Sequence, residues 1–444
     1  MNQRDAVILA KQLFPQYREN RADLDTVDSW YRGQNERPTM PRQSTKEYQQ
    51  LQERSYTPWL GLVVTSVAQT LYVEGYRRAR EVDDAAAWGF WQANGLDGRQ
   101  MAVHRGALAH GQAFVTVLPG DRGPAMRGVS ARKMHAVYAD PAEDEYPMYA
   151  LRVDPNGGAN KWMLRLYDEK QVYYLSADSE ATKIEFLESR EHGIGVCPVV
   201  RFTNQLDLDG RATGEIAPFV PLAARIDQDT FDRLVVQRFG AWVIKYVAGM
   251  ATPETDEEKR AAQIALKVSD FLMAEDPDTK FGSLPATPLD GYIKSRDADI
   301  RDLAAVTQTP PHHLLGQMAN LSAEALAAAE SSLIRKVEER KHSFGESWEQ
   351  ALRLAASVAD VEGSDDFEAQ VRWRDMESRS LSQVADALGK LSQQLGVPVE
   401  MLWEKIPGWT DQDVLRAKTL AAEGDALASL NGILEQQAAE PELP

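Results

Sequence analysis

A helix-rich α+β fold is what this 444-residue sequence predicts, and three observations predict it. Apolar residues recur at helical spacing near both ends of the chain. Between residues 113 and 204 the texture turns to short runs rich in Val, Tyr and Phe, separated by Gly, Pro, Asp and Asn. From residue 322 to about 359 a single apolar stripe persists without a break. A chain of this length carries about two to four domains.

Taken in order, residues 5–31 read as a helix, with Val7, Leu13, Phe14, Tyr17, Leu24, Val27 and Trp30 on a broad apolar face. GQNERPTMPRQS, 33–44, is a polar, proline-marked loop. Helix is expected to resume across 45–73. The uncharged stretch 55–73 is long enough to span a bilayer. It contains Pro58, Gly61, Thr65, Ser66, Gln69 and Thr70, however, and Leu60, Val63, Val64, Val67 and Leu71 fall at helical spacing, so it reads as a buried helix. Residues 83–110 give two helices split at NGLDG. The runs at 113–120, 135–140, 148–154, 161–168, 171–176 and 198–204 then form a meander of antiparallel strands.

Helix returns after TGEIAPFVPL, with Phe219, Leu222, Ile226, Thr230, Phe231 and Leu234 on one face and an end near Gly240. About 50 residues of β-α-β insert follow: strand at 242–249, a helix capped by Thr252 with Pro253 at its first position, and strand and turn at 270–282. A second helix over 290–307 uses Ile293, Ile300, Leu303 and Ala304. TPPHHLLGQMANLS, 309–322, reads as a loop. In the long stripe, Leu326, Leu333, Val337, Phe344, Trp348, Leu352 and Ala355 step by 7, 4, 7, 4, 4 and 3, a helix about 55 Å long in which Gly345 is the place for a kink. The steps keep no strict heptad, which favours a helix crossing a large assembly over a coiled coil. The C-terminal part is helical, with Thr410 and Asp413 in a capping arrangement and a frayed end.

Composition and motifs exclude most chemistry. The sequence contains neither a G-x-x-x-x-G-K-[ST] loop nor H-E-x-x-H nor G-x-S-x-G. HGIGV, 192–196, opens onto a strand and not a helix, so it lacks the geometry of a phosphate cradle. QLDLDG, 205–210, would put Gln205 and Ile216 at calcium-ligand positions and therefore reads as a turn. Cys197 is the only cysteine; it allows no intrachain disulfide, fits a reducing compartment and reads as an inert core thiol. His312 and His313 are adjacent, which makes their side chains diverge, and no acid or histidine recurs at i+4, so no metal is expected. No cofactor is expected either, and the chain reads as a non-enzyme. The net charge of −18 argues against gripping nucleic acid by phosphate neutralisation. It is compatible with a wall past which DNA slides, and equally with acidity that serves solubility.

The order of these parts resembles the portal proteins of tailed bacteriophages. Local runs carry the likeness: NGLDGRQMAVHRGALAHGQAFVTV (94–117), VCPVVRFTNQLDLDG (196–210), GEIAPFVPLAARID (214–227) and TPPHHLLG (309–316) leading into the long helix. It extends over nearly the whole chain, and order and spacing carry it more than any single run. The resemblance implies a portal fold of wing, stem, clip and crown around the long helix. The wing would take residues 1–213 and the first stem helix 214–240. The clip would be 241–289, the second stem helix 290–308 and the tunnel loop 309–322. The long wing helix and a strand would occupy 323–375, and the crown 376–444.

The same resemblance implies a homo-oligomeric ring, of twelve copies, at one capsid vertex. Double-stranded DNA would pass through it without sequence specificity during packaging and ejection. The terminase large subunit, a head–tail adaptor and the major capsid protein would be its partners. The protein would be assembled in the host cytoplasm and end in the virion. Energy would come from the packaging ATPase, which fits the missing nucleotide loop. His312, His313, Gln317 and Asn320 become candidates for DNA proximity, as neutral or titrating groups that touch phosphates without gripping them. The residues alone leave open another virion ring or adaptor, and an acidic cytoplasmic scaffold.

Overall fold

The protein is described here by a computed structural model covering residues 1–40, 45–78, 85–156, 161–178, 180–240, 245–248, 255–256, 280–283, 287–316, 323–374, 381–406, 409 and 413–423. It divides into a unit of Met1–Trp373 and a second of Arg374–Pro444.

Helix α1 runs Gln3–Arg32, opened by Asn2, whose side chain accepts the Asp5 N–H at 2.9 Å, and closed by Gly33 in the left-handed conformation. The expected helix over 45–73 is instead two helices and a strand: α2 Lys46–Ser55, α3 Trp59–Ala68 and β1 Val73–Arg77. Proline is the reason for the first break. Pro58 forces the residues before it out of the helical region, and Tyr56 is extended. The buried face of α3, Leu60, Val63, Val64 and Val67, is the one expected. No helix among the described residues is long and apolar enough to cross a membrane. Helices α4 Ala85–Ala93 and α5 Leu96–His110 divide inside NGLDG, where Gly95 has a positive φ.

The strands form two main sheets. One has the order β3-β2-β9, from β2 Gln112–Gly120, β3 Gly123–Ser130 and β9 Val199–Thr203. The other holds the middle of the expected meander: β4 Met134–Val137, β5 Tyr149–Asn156, β6 Lys161–Tyr167, β7 Gln171–Asp178 and β8 Ile184–Glu191 pair consecutively and antiparallel, whereas the first and last expected runs, 113–120 and 198–204, pair with each other in the three-stranded sheet. Neither β3 nor β8 was among the expected strands. QLDLDG is a turn, as its spacing implied. It lies in the small hairpin of β10 Gln205–Leu206 and β11 Ala212–Thr213, and the Arg211 N–H donates to Asp207 Oδ1 at 2.8 Å.

Helix α6, Val220–Gly240, and helix α7, Asp290–Val306, lie side by side. Their register follows from two contacts: Arg225 grips Asp299 with two hydrogen bonds of 2.9 and 2.7 Å, and Ser295 donates to Asp229 at 2.8 Å. As one number rises the other falls, so the helices are antiparallel. Strands β12 Lys245–Ala248 and β13 Lys280–Ser283 are paired antiparallel in the same sense. The chain therefore leaves along α6 and β12 and returns along β13 and α7. The helix expected after Thr252 lies outside the described residues.

Part of the expected loop 309–322 is helical: α8 spans Pro311–Leu315, started by two prolines and stopped by Gly316 at a positive φ. Helix α9 is the long one, Ala323–Ala359, or about 56 Å at 1.5 Å per residue. Helical structure continues through Gly345. It faces strand β14, Gln370–Trp373, which pairs with β1; a β-carbon at Gly345 would lie in ordinary contact with Val371 at 3.4 Å and the Trp373 indole at 3.6 Å. In the second unit, α10 is Leu381–Leu395, α11 is Val399–Trp403, and residues 413–423 are helical. Thr410 of the expected cap lies outside the described residues.

The largest core joins α3, α5, β2, β9, α6, α7 and α9. At its centre Trp348 meets Phe202 and Trp91 edge to face at 4.6 and 4.8 Å, so this tryptophan on the long stripe is core, as its spacing indicates.

Candidate functional site

The point where strands, the helix pair and the long helix converge is built from two glycines. Residues 109–111 and 212–214 cross so closely that a β-carbon on Gly111 would sit 2.5 Å from the Ala212 carbonyl oxygen, and one on Gly214 2.5 Å from that of Ala109. Gly111 also has φ of +85°, a region that side chains disfavour. The crossing is fixed by backbone bonds from Glu215 N–H to Leu108 O, 2.7 Å, and from Asn204 N–H to Gly111 O, 2.8 Å. It delivers a carboxylate and an amide into the interior.

Lys336 and Arg340 meet them, one turn apart on α9. Lys336 Nζ donates to Glu215 Oε2 at 2.6 Å and to the Thr307 carbonyl at 2.9 Å. Arg340 donates to Glu215 Oε1 at 3.2 Å and to Asn204 Oδ1. Asn204 donates onward to the Thr213 carbonyl and to Glu215. Asn204, Glu215, Thr307, Lys336 and Arg340 are all buried. Burial pushes the Lys336 pKa down, and the Glu215 carboxylate opposes that. One carboxylate thus ties together the end of β9, the approach to α6, the end of α7 and the long helix. Sequence reasoning missed this junction. Its visible signal was a pair of cations four residues apart beside Leu333, Val337 and Phe344, where an apolar face was expected to continue.

Beyond Thr307 the chain turns sharply. Gln308 has φ of +54°, the Thr307 hydroxyl donates to Leu303 O at 2.7 Å, and Pro310 and Pro311 lead into α8. His312 and His313 stand here. The His312 side chain is only 8% exposed, with Nε2 3.7 Å from Glu330 Oε1 on α9. His313 is exposed, and the two rings meet edge to face at 4.5 Å. Their side chains therefore converge, against the divergence expected of neighbours. Gln317 and Asn320 lie outside the described residues.

Cys197, His192 and His104 have structural roles. Cys197 is buried, which pushes its thiol pKa well up and leaves it a poor nucleophile. In HGIGV, His192 accepts the Ile194 N–H on Nδ1 and donates from Nε2 to the Asp168 carbonyl at 3.0 Å, holding a turn. His104 is fully buried. It accepts the Trp348 indole N–H at 2.9 Å and donates from Nδ1 to the Leu71 carbonyl at 3.2 Å. Desolvation lowers its pKa to about 3, so it is neutral near pH 7.

Comparison with known proteins agrees with this architecture. The family described as "Phage portal protein, SPP1 Gp6-like" matches residues 10–429. The portal protein of Mycobacterium phage L5 is 28% identical over 415 residues, covering 87% of this chain and 82% of that protein. The portal protein of Mycobacterium phage D29 is 32% identical over 356 residues, covering 74% of this chain and 71% of that one. A match across nearly all of the sequence shows the family: this chain belongs to the phage portal proteins.

Proposed function

We propose that copies of this chain form a ring at one vertex of a phage capsid, with a central channel through which double-stranded DNA is packaged and ejected. Family membership supplies the structural, non-catalytic role and the virion setting. The observation that carries the finer reading is the out-and-back course of α6, β12, β13 and α7, anchored at its base by the buried Glu215 junction. An antiparallel helix pair bearing a separate hairpin-like tip suits a stem of 214–240 and 290–308 carrying a clip of 241–289. The wing would be 1–213 with 323–375, and the crown 376–444. Ile293 and Val306 on α7 are exposed apolar side chains, as expected of helices that pack against neighbouring copies in a ring. Twelve copies are proposed.

On this reading the clip receives the terminase large subunit and later a head–tail adaptor, and the wing faces the major capsid protein. Residues 309–322 form the tunnel loop, with Gln317, Asn320 and the nearby His312 and His313 closest to DNA. The acidic balance of the chain keeps DNA centred and mobile. An in vitro packaging assay tests the loop. Glutamate or alanine at Gln317 and Asn320 should lower the yield of packaged DNA while rings still form; undiminished packaging by every variant would remove the loop from the channel.

A further inference from the structure

We propose that His312, His313 and Glu330 form a binding site for one zinc-class divalent cation, which clamps helix α8 to the long helix α9. The sequence gives no such hint, because neither histidine has an acid at helical spacing. The fold supplies the acid from a different element. Glu330 lies on α9, and its carboxylate and one nitrogen from each imidazole lie within 4.8 Å of one another.

The distances suit a metal better than a direct ion pair. At 3.7 Å, His312 Nε2 and Glu330 Oε1 are too far apart for a hydrogen bond. Donor atoms around a tetrahedral zinc, with bonds of about 2.0–2.1 Å, stand about 3.3–3.4 Å apart. Closing from the observed spacing requires movements of an ångström or so in side chains, with the backbone already in place. That backbone is firmly set. The two prolines start α8, Gly316 donates its N–H back to His312 O at 3.0 Å, and Leu314 is buried in the largest core.

The chemistry of the donors selects the ion. Two imidazoles with one carboxylate suit zinc or cobalt, and not calcium or magnesium, which prefer shells of oxygen. Three protein ligands leave a fourth position for water. The histidines precede residues 317–322 and Glu330 follows them, so a bound ion would fix the distance between the two flanks of that connection. The proposal does not depend on which segment lines a channel.

Metal-stripped full-length protein titrated with zinc chloride tests the site by calorimetry. Wild type should take up one ion per chain, unaffected by a hundredfold excess of magnesium. Glu330→Gln should weaken binding at least about tenfold, and His312→Ala/His313→Ala should abolish saturable uptake. His313 is exposed, so His313→Ala alone leaves the fold intact and should also weaken binding about tenfold. Cobalt in place of zinc should give visible absorption bands in wild type that Glu330→Gln loses. No saturable uptake by wild type, or equal uptake by wild type and His313→Ala, would overturn the site.

Discussion

The two halves of the long helix are held by opposite means. From Phe344 to Ala356 it is packed by rings and aliphatic chains, with Trp348 set among Phe202, Trp91 and His104. From Leu333 to Arg340 it is tied by ionised groups, with Lys336 and Arg340 sharing one buried carboxylate. Apolar packing is non-directional and tolerates small slides. Charge pairs that also satisfy an amide and a carbonyl define one register. The apolar half therefore accounts for most of the cohesion between the helix and the sheets. The ionic half fixes how the helix pair, the strands and the long helix meet, and so aims the out-and-back excursion.

Substitutions separate the two halves, and the largest effect belongs to the carboxylate. Glu215→Gln takes the carboxylate from buried Lys336 and leaves buried Arg340 only its pairing with exposed Glu339, and should cost about 3–5 kcal/mol, read by thermal unfolding. Replacing Glu215, Lys336 and Arg340 together by apolar residues of similar size should cost much less, because no charge is then stranded. If the triple variant is as damaged as the single one, the junction is not acting through charge. Trp348→Ala should also cost about 3–5 kcal/mol, from lost packing and a cavity. Trp348→Phe should cost less, isolating the hydrogen bond to His104.

Acid should attack the apolar half. His104 has a folded pKa of about 3 against 6.5 in the unfolded chain, so the unfolded state binds the extra proton. Its contribution is present above pH 6.5 and is lost as pH falls toward 3, at about 1.4 kcal/mol per pH unit. Melting temperatures measured from pH 7 to 5 should fall less steeply in His104→Gln.

A carboxylate on α6 gives a smaller effect of opposite sign. Burial raises the Asp227 pKa to about 6, against hydrogen bonds from Thr57 and Asn35 that lower it. A raised acid favours folding below its unfolded pKa and opposes it once pH rises through the folded value. Asp227→Asn should therefore stabilise the protein at pH 7.5, by about 1–3 kcal/mol, and do less at pH 5. Smallest of all is the exposed Arg225–Asp299 pair, where Arg225→Ala should leave melting unchanged within error.

Much of the fold was legible in the sequence because burial writes periodicity. The meander, both helices of the pair and the long helix show it plainly. The elements that escaped lie at sheet edges or next to a stronger apolar signal. Strands β3 and β8 are sheet edges, and Ile184–Glu191 is exposed or half-buried along its length and rich in charge. Strand β1 hid behind the apolar helix before it, and its pairing with β14 spans 300 residues in sequence, from Val73 to Trp373. The candidate site was less legible still. Lys336 and Glu215 lie 121 residues apart, and nothing local in the sequence brings Glu330 to His312. A portal-like order of parts located the region around TPPHHLLG, but contacts within it needed the fold.

Electron microscopy of the purified full-length protein tests the central claim most directly. The account predicts rings with an open central channel, whose end-on views show twelvefold symmetry and whose side views show a narrow stem below a wider wing. A compact monomer, or an oligomer with no channel through it, would contradict it.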